Sequence, residues 1–309
     1  MFLPKDFIQT AQGLLFAVVV AGVEENKVRC FLRYVYSENG QWRKIATHDA
    51  NALLTDCYPA YCFHSPLLDA FLHGVSLDAI THHHRPTARL AQLLHQKQHD
   101  AIEKDCVDLC RLFETQGIDL SNIGVTGSLL ISQQNANSDI DLVCYDLAVF
   151  TQCRTALREL LAQHALTDLS EMDWLASFER RDCELDFESY LWHERRKFNK
   201  ALINGRKFDL SLVEPQPVSA IAYRKCGAIT LSVRVRDDAR AFCYPAEFEL
   251  AHPRIQSVVC FTATYTGQAI MGEMIDIAGM LEEDEHGNQR IVVGSNREAQ
   301  GEYIKVIRE

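Results

Sequence analysis

The chain has 309 residues, room for about two or three domains with cores of their own. Its 47% hydrophobic and 24% charged residues exclude a disordered polymer. A net charge of −11, from 31 Lys and Arg against 42 Asp and Glu, argues against a broad nucleic-acid-binding face, which needs a cationic surplus to neutralise phosphates.

Leu14 to Val23 is an apolar run too short for a bilayer span, so no membrane association is expected. Val28 to Val35 alternates apolar and polar residues, and Glu24-Glu25-Asn26-Lys27 lies between the two runs. This is the pattern of a β-hairpin rather than a signal peptide, and it places the chain in the cytoplasm. A strand over Gln41 to Ile45, a helix over Asp49 to Leu54 and a Tyr/Cys/His-rich segment from Cys57 to His64 follow. Thr81-His82-His83-His84-Arg85-Pro86 reads as a solvated linker and domain boundary. Consecutive histidines point in different directions on any regular element, which argues against a shared metal, and proline disfavours helix at the residue before it. Leu90, Leu93, Leu94, Ile102, Val107, Leu109, Cys110 and Phe113 predict one long or two shorter amphipathic helices between Thr87 and Gln116, ended by Gly117. The eleven cysteines include no Cys-x-x-Cys pair, the pattern of buried thiols in a reducing compartment.

The chemistry is concentrated in the next stretch. Gly124-Val125-Thr126-Gly127-Ser128 reads as a buried strand leaving through a Gly-Ser turn, and Ser138-Asp139-Ile140-Asp141-Leu142 as a second strand. Residues i and i+2 of a strand share a face, so Asp139 and Asp141 present adjacent carboxylates while Ile140 and Leu142 enter the core. Like charges at that spacing repel, and the usual resolution is a divalent cation, Mg²⁺ or Mn²⁺. Gly127 lets backbone approach a phosphate and Ser128 adds a hydroxyl donor, so the pair suits a nucleoside triphosphate.

Helices are predicted over about Leu147 to His164, Glu171 to Arg181 and Tyr190 to Leu202, and a strand over Arg206 to Val213. The basic clusters Arg180-Arg181, Arg195-Arg196-Lys197 and Arg206-Lys207 read as solvated faces. A functional one among them would bind triphosphate or acceptor phosphate. Beyond residue 217, Val218 to Ala222, Ile229 to Val235, Val258 to Tyr265, Ile275 to Gly279 and Arg290 to Val293 read as strands of a small barrel or sandwich. Tyr265-Thr266-Gly267-Gln268 there reads as a structural turn. The expected fold class is α/β (α+β), a mixed sheet with helices over 87–217 flanked by β-rich domains over 1–86 and 218–309.

Gly127-Ser128, the spacer Leu129 to Ser138, and Asp139-Ile140-Asp141 resemble the signature of the polymerase-beta-like nucleotidyltransferase superfamily, over roughly residues 105–215. Many members carry Arg-Gly just after the Gly-Ser, where this chain has Ile131-Ser132. More loosely, the whole chain resembles a largely archaeal family of predicted nucleotidyltransferases, through segments such as Gly13 to Val18, Leu32 to Val35, Val125 to Leu130 and Val293 to Ser295. The superfamily implies a third carboxylate on a later strand, which completes the metal site and helps deprotonate an acceptor hydroxyl. Asp209, between Phe208 and Leu210, is the first choice and Asp186 its rival. The implied activity is transfer of a nucleoside monophosphate to RNA, protein or a small molecule with release of pyrophosphate. The alternatives are an RNA- or ligand-binding protein whose transferase domain does not turn over, and a kinase-like phosphoryl transfer.

Overall fold

The computed structural model describes residues 1–37, 39–215, 221–296 and 300–308. Its elements, in chain order, begin with β1 Phe7–Thr10, β2 Leu14–Val18, β3 Lys27–Tyr36, β4 Trp42–Lys44, α1 Thr47–Cys57, β5 Cys62–Ser65, β6 Ala70–Ser76, β7 Ile80–His84, α2 Pro86–His95 and α3 Ala101–Thr115. Then come β8 Ile123–Thr126, α4 Gly127–Leu130, β9 Ile140–Cys144, α5 Leu147–Ala162, α6 Glu171–Arg181, α7 Phe187–Lys197, β10 Lys200–Ile203 and β11 Arg206–Leu212. The last are β12 Tyr223–Asp237, β13 Ala246–Leu250, β14 Ile255–Cys260, β15 Met274–Asp284, β16 Gln289–Val293 and β17 Tyr303–Val306. The class is α+β. Packing divides the chain into two units, Met1–Ser65 with Phe71–Ala156 and Leu202–Ser219, and Pro66–Ala70 with Leu157–Ala201 and Ala220–Glu309.

In the first unit, the strands run in the order β5-β6-β3-β2-β1-β7, with β4 on β3. The β2–β3 hairpin forms as expected, closed by a bridge between Glu24 and Lys27. Strand alternation gives this sheet two apolar faces. Ile8, Leu14, Phe16, Val28, Cys30 and Leu32 pack under Ala50 and Leu54 of α1. Phe7 and Leu15, with Ala17, Tyr34 and Trp42, pack against Leu130 and Ile131 of the α4 turn. The histidine run is β7 and not a linker: His82, His83 and His84 pair with Gln9, Ile8 and Phe7 of β1. Pairing with β1 satisfies the backbone polar groups on one side of this edge strand, and its alternation turns His83 toward Asp6, at 2.7 Å, while the His82 and His84 rings stack edge-on at 4.2 Å.

The second sheet has the order β10-β11-β9-β8. Strand β9 runs antiparallel to β8 and parallel to β11. Two helices, not one, precede it: α2 opens on Pro86, and α3 on an Asp100–Glu103 capping box, with Gly117 taking the left-handed conformation after its last turn. A Cβ at Gly124 would meet Pro86 at 2.6 Å, so glycine is what lets α2 lie directly on β8.

In the second unit, α6 occupies the expected span, while α7 stops at Lys197 because Phe198 adopts φ 49°. Lys200 to Leu202, expected as the end of that helix, belong instead to β10. Strands β12, β13, β14, β16 and β15 pair in that order and β15 returns to β12, which closes a five-stranded barrel with β17 attached to β15. The expected strand Val218 to Ala222 lies largely outside the described residues. Strands β13 and β17 were not expected. Gln268 is buried and its Nε2 donates to Ile304 O, so Tyr265 to Gln268 is a structural turn inside this unit.

His193 of α7 lies in the same interior, 2% exposed, with Nδ1 3.1 Å from Gln268 O and Nε2 accepting from Val306 N. Burial, with Lys197 and Arg196 adding to it, pushes its pKa down to about 3, so the folded protein holds it neutral. An unfolded histidine titrates near about 6.5, so this contribution is complete above that pH and is lost as pH falls toward the folded value. Unfolding free energies from urea titrations are therefore expected to decline between pH 7 and pH 4, by up to about 1.4 kcal/mol per pH unit from this one proton, and His193→Gln should flatten the decline.

Candidate functional site

Register brings the sequence-predicted residues together in the first unit. Thr126 pairs with Asp141 across β8 and β9, and Asp141 pairs with Asp209 across β9 and β11. Directly paired residues project from the same face of a sheet, so Asp141 and Asp209 stand side by side, both half-buried. Asp139 immediately precedes β9 rather than lying within it, and is also half-buried. Asp186 does not join this row. It caps the N-terminus of α7 in the second unit, accepting from Ser189 N at 2.8 Å and Ser189 Oγ at 2.7 Å. Those bonds, with help from Lys305, hold its carboxyl well below the usual range, as befits a helix cap.

Gly127 has φ +66°, and a Cβ placed on it would lie 2.3 Å from Asp141 Oδ2. The Asp141 carboxylate therefore rests over the bare α-carbon of Gly127, a contact no other residue permits. The Gly-Ser stretch is the short helix α4 rather than an open turn, and the half-buried Ser128 follows Gly127 in it. Ile131, just after the Gly-Ser stretch, is buried against Phe7 and Leu15. Ser132 has φ 54°, the left-handed conformation a glycine adopts without cost.

Three supports of this site were not legible beforehand. Arg89 of α2, 9% exposed, donates to Leu129 O at 3.0 Å and to Glu103 Oε1 at 2.7 Å, fixing a carbonyl that the short helix leaves over. Arg206 donates to Ala136 O and Ser138 O while pairing with Asp105 at 2.8 Å, which fastens the spacer just before Asp139. Thr126 Oγ1 donates to Lys5 O at 2.7 Å and ties β8 to the segment leading into β1. Arg206 and Arg196, the latter donating to Glu273 through both terminal guanidinium nitrogens, are ion-paired residues rather than solvated ones. Lys197 is likewise buried on Glu194, at 2.5 Å. Tyr34 lines the same region: burial raises its pKa, Arg33 opposes that, and the nearby Asp141 charge adds to it.

The donor set is carboxylate and hydroxyl oxygen, the ligand chemistry of Mg²⁺ or Mn²⁺, and the space a Cβ would fill at Gly127 lies against Asp141 Oδ2. Among the described residues, no group of three or more His, Cys, Asp or Glu side chains is arranged to hold a metal ion as it stands. One or two carboxylates, completed by substrate phosphates and water, suffice for Mg²⁺. The residues fit such an ion.

Fold and site thus define an α+β protein with a row of acids seated over a glycine-lined turn. The chain is 32% identical over 335 residues to an uncharacterized protein of Methanocaldococcus jannaschii, an alignment covering 98% of this chain and 98% of that protein. It belongs to the family of that archaeal protein. No family model matches it, and no solved structure matches it.

Gly127→Ala is expected to lower the thermal midpoint through the left-handed strain, about 1–2 kcal/mol, and to displace Asp141 as well. Mn²⁺ binding followed by calorimetry should then weaken more than stability does. Equal Mn²⁺ affinity in the two proteins would show that the Gly127–Asp141 contact does not shape the site.

Proposed function

We propose that the protein is a metal-dependent nucleotidyltransferase, which moves a nucleoside monophosphate from a nucleoside triphosphate to an acceptor hydroxyl and releases pyrophosphate. The observation that carries this reading is the register that aligns Asp209 with Asp141, beside Asp139 and over Gly127. Asp139, Asp141 and Asp209 would hold Mg²⁺ or Mn²⁺, which when bound neutralises the triphosphate and polarises its α-phosphoryl group. Gly127 and Ser128 form the donor-phosphate side of the site, the glycine by giving room to the Asp141 carboxylate and the serine by its hydroxyl. Asp209 is the candidate base: it accepts the acceptor's hydroxyl proton as the new O–P bond forms at the α-phosphorus and the bond to the bridging oxygen breaks. Rate comes from alignment and charge neutralisation in a fixed site. The net charge of −11 favours a protein side chain or a small molecule over a long RNA as acceptor.

A binding protein that holds nucleotide or RNA without turnover is the second reading. One observation favours it: Ile131 is committed to the core, so the Gly-Ser turn brings no arginine to the triphosphate.

Incubation with Mg²⁺, cell extract and triphosphates labelled at the α- or γ-phosphate separates the readings. Transfer of the α-label with release of pyrophosphate is expected, reduced of the order of a hundredfold or more in Asp139→Asn/Asp141→Asn. Transfer of the γ-label would mean kinase chemistry. Nucleotide binding with no transfer of either label would leave the binding protein.

A further inference from the structure

The two acids of Asp139-Ile140-Asp141 are one residue apart and half-buried, and a positive neighbour relieves the repulsion between such a pair. The chain supplies one. Lys207 Nζ lies 3.8 Å from Asp139 Oδ2, with the lysine side chain 14% exposed and the aspartate 32%. The placement follows from β11. Lys207 and Asp209 are two residues apart on a strand and share a face. The parallel register that aligns Phe208 with Ile140 and Asp209 with Asp141 sets Lys207 beside Asp139. Its neighbour Arg206 points the other way in the strand alternation and is occupied by Asp105 and the carbonyls of Ala136 and Ser138.

We propose that Lys207 is a positioning residue with two alternative partners: its ammonium competes with a divalent cation for Asp139, and when the cation takes that carboxylate it moves onto a phosphate oxygen of the donor triphosphate. This inference rests on the nucleotidyl-transfer reading and deepens it. A lysine on a flexible stem suits such an exchange: its ammonium is a compact charge with rotatable donors, and a few ångströms of movement require no change in the backbone. A fixed guanidinium fork such as that of Arg206 would not suit it. The exchange keeps a cation beside both the Asp139 carboxylate and the phosphate oxygens as Mg²⁺ and triphosphate enter together, so neither ligand meets an uncompensated field.

The two partners give effects of opposite sign. In Lys207→Gln, Mn²⁺ added alone and followed by calorimetry is expected to bind about tenfold more tightly than in the wild type, because its competitor is gone. The same variant is expected to bind a non-hydrolysable triphosphate with Mg²⁺ about tenfold more weakly, because a phosphate partner is gone. Lys207→Arg should lie between wild type and Lys207→Gln in both. A readout on the wild type avoids dependence on the folding of the glutamine variant. With lysines reductively methylated with carbon-13, the Lys207 resonance, assigned by its loss in Lys207→Arg, should shift on adding Mg²⁺ and again on adding triphosphate. A wild type that binds both ligands while Lys207→Gln matches it, or while the resonance stays fixed, overturns the role of Lys207 alone. A wild type that binds neither Mn²⁺ nor triphosphate overturns the transfer reading and this inference with it.

Discussion

The contact between the Asp141 carboxylate and the bare α-carbon of Gly127 is the constraint on which the site depends. It needs a glycine in the left-handed conformation at the end of β8, and a strand pairing that seats Asp141 opposite Thr126 and Asp209. A one-residue slip of β9 would turn Asp141 into the core and Ile140 and Leu142 out of it. Ile140, Leu142 and Cys144, all buried on the opposite face, hold the register against such a slip. The energy that fixes the acids in place therefore comes from the hydrophobic side of the same strand.

The rest of the first unit braces this contact. Leu130 and Ile131 anchor α4 on Phe7 and Leu15 of the N-terminal sheet, Arg89 takes the Leu129 carbonyl, and Arg206 fastens the spacer loop. Each bracing cation is itself balanced by a carboxylate, Glu103 for Arg89 and Asp105 for Arg206. Losing one partner of such a buried pair leaves an uncompensated charge, so the bracing and the site stand or fall together. The N-terminal sheet supports the site directly, with Phe7, Leu15 and Tyr34 packed against Leu130 and Ile131 just beyond Gly127-Ser128.

The sequence made the alternating parts of this fold legible. The β2–β3 hairpin, α6, β11 and the glycine-acid spacing are all carried by local period and turn residues. The polar composition of the histidine run hid β7, because an edge strand gains its pairing from β1 rather than from its own hydrophobicity. The end of α7 was missed because Phe198 shows no local sign of a left-handed residue. Ala246-Glu247-Phe248-Glu249-Leu250 does alternate, and that signal could have revealed β13. Arg89 and Arg206 could not have been read in advance. Their partners are carbonyls and carboxylates of other segments, which only the folded chain brings within reach.

The central claim is that the acid row and the glycine turn form one site for a metal-bound triphosphate. Its most direct test is the thermal midpoint of the protein with each ribonucleoside triphosphate and Mg²⁺, for the wild type and for Asp139→Asn/Asp141→Asn. A ligand confined to the folded state adds about 2.7 kcal/mol at a hundred times its dissociation constant, a shift that is easily read. The account predicts a Mg²⁺-dependent rise with at least one triphosphate, absent from the double variant. An equal rise in both proteins, or none with any triphosphate, would contradict it.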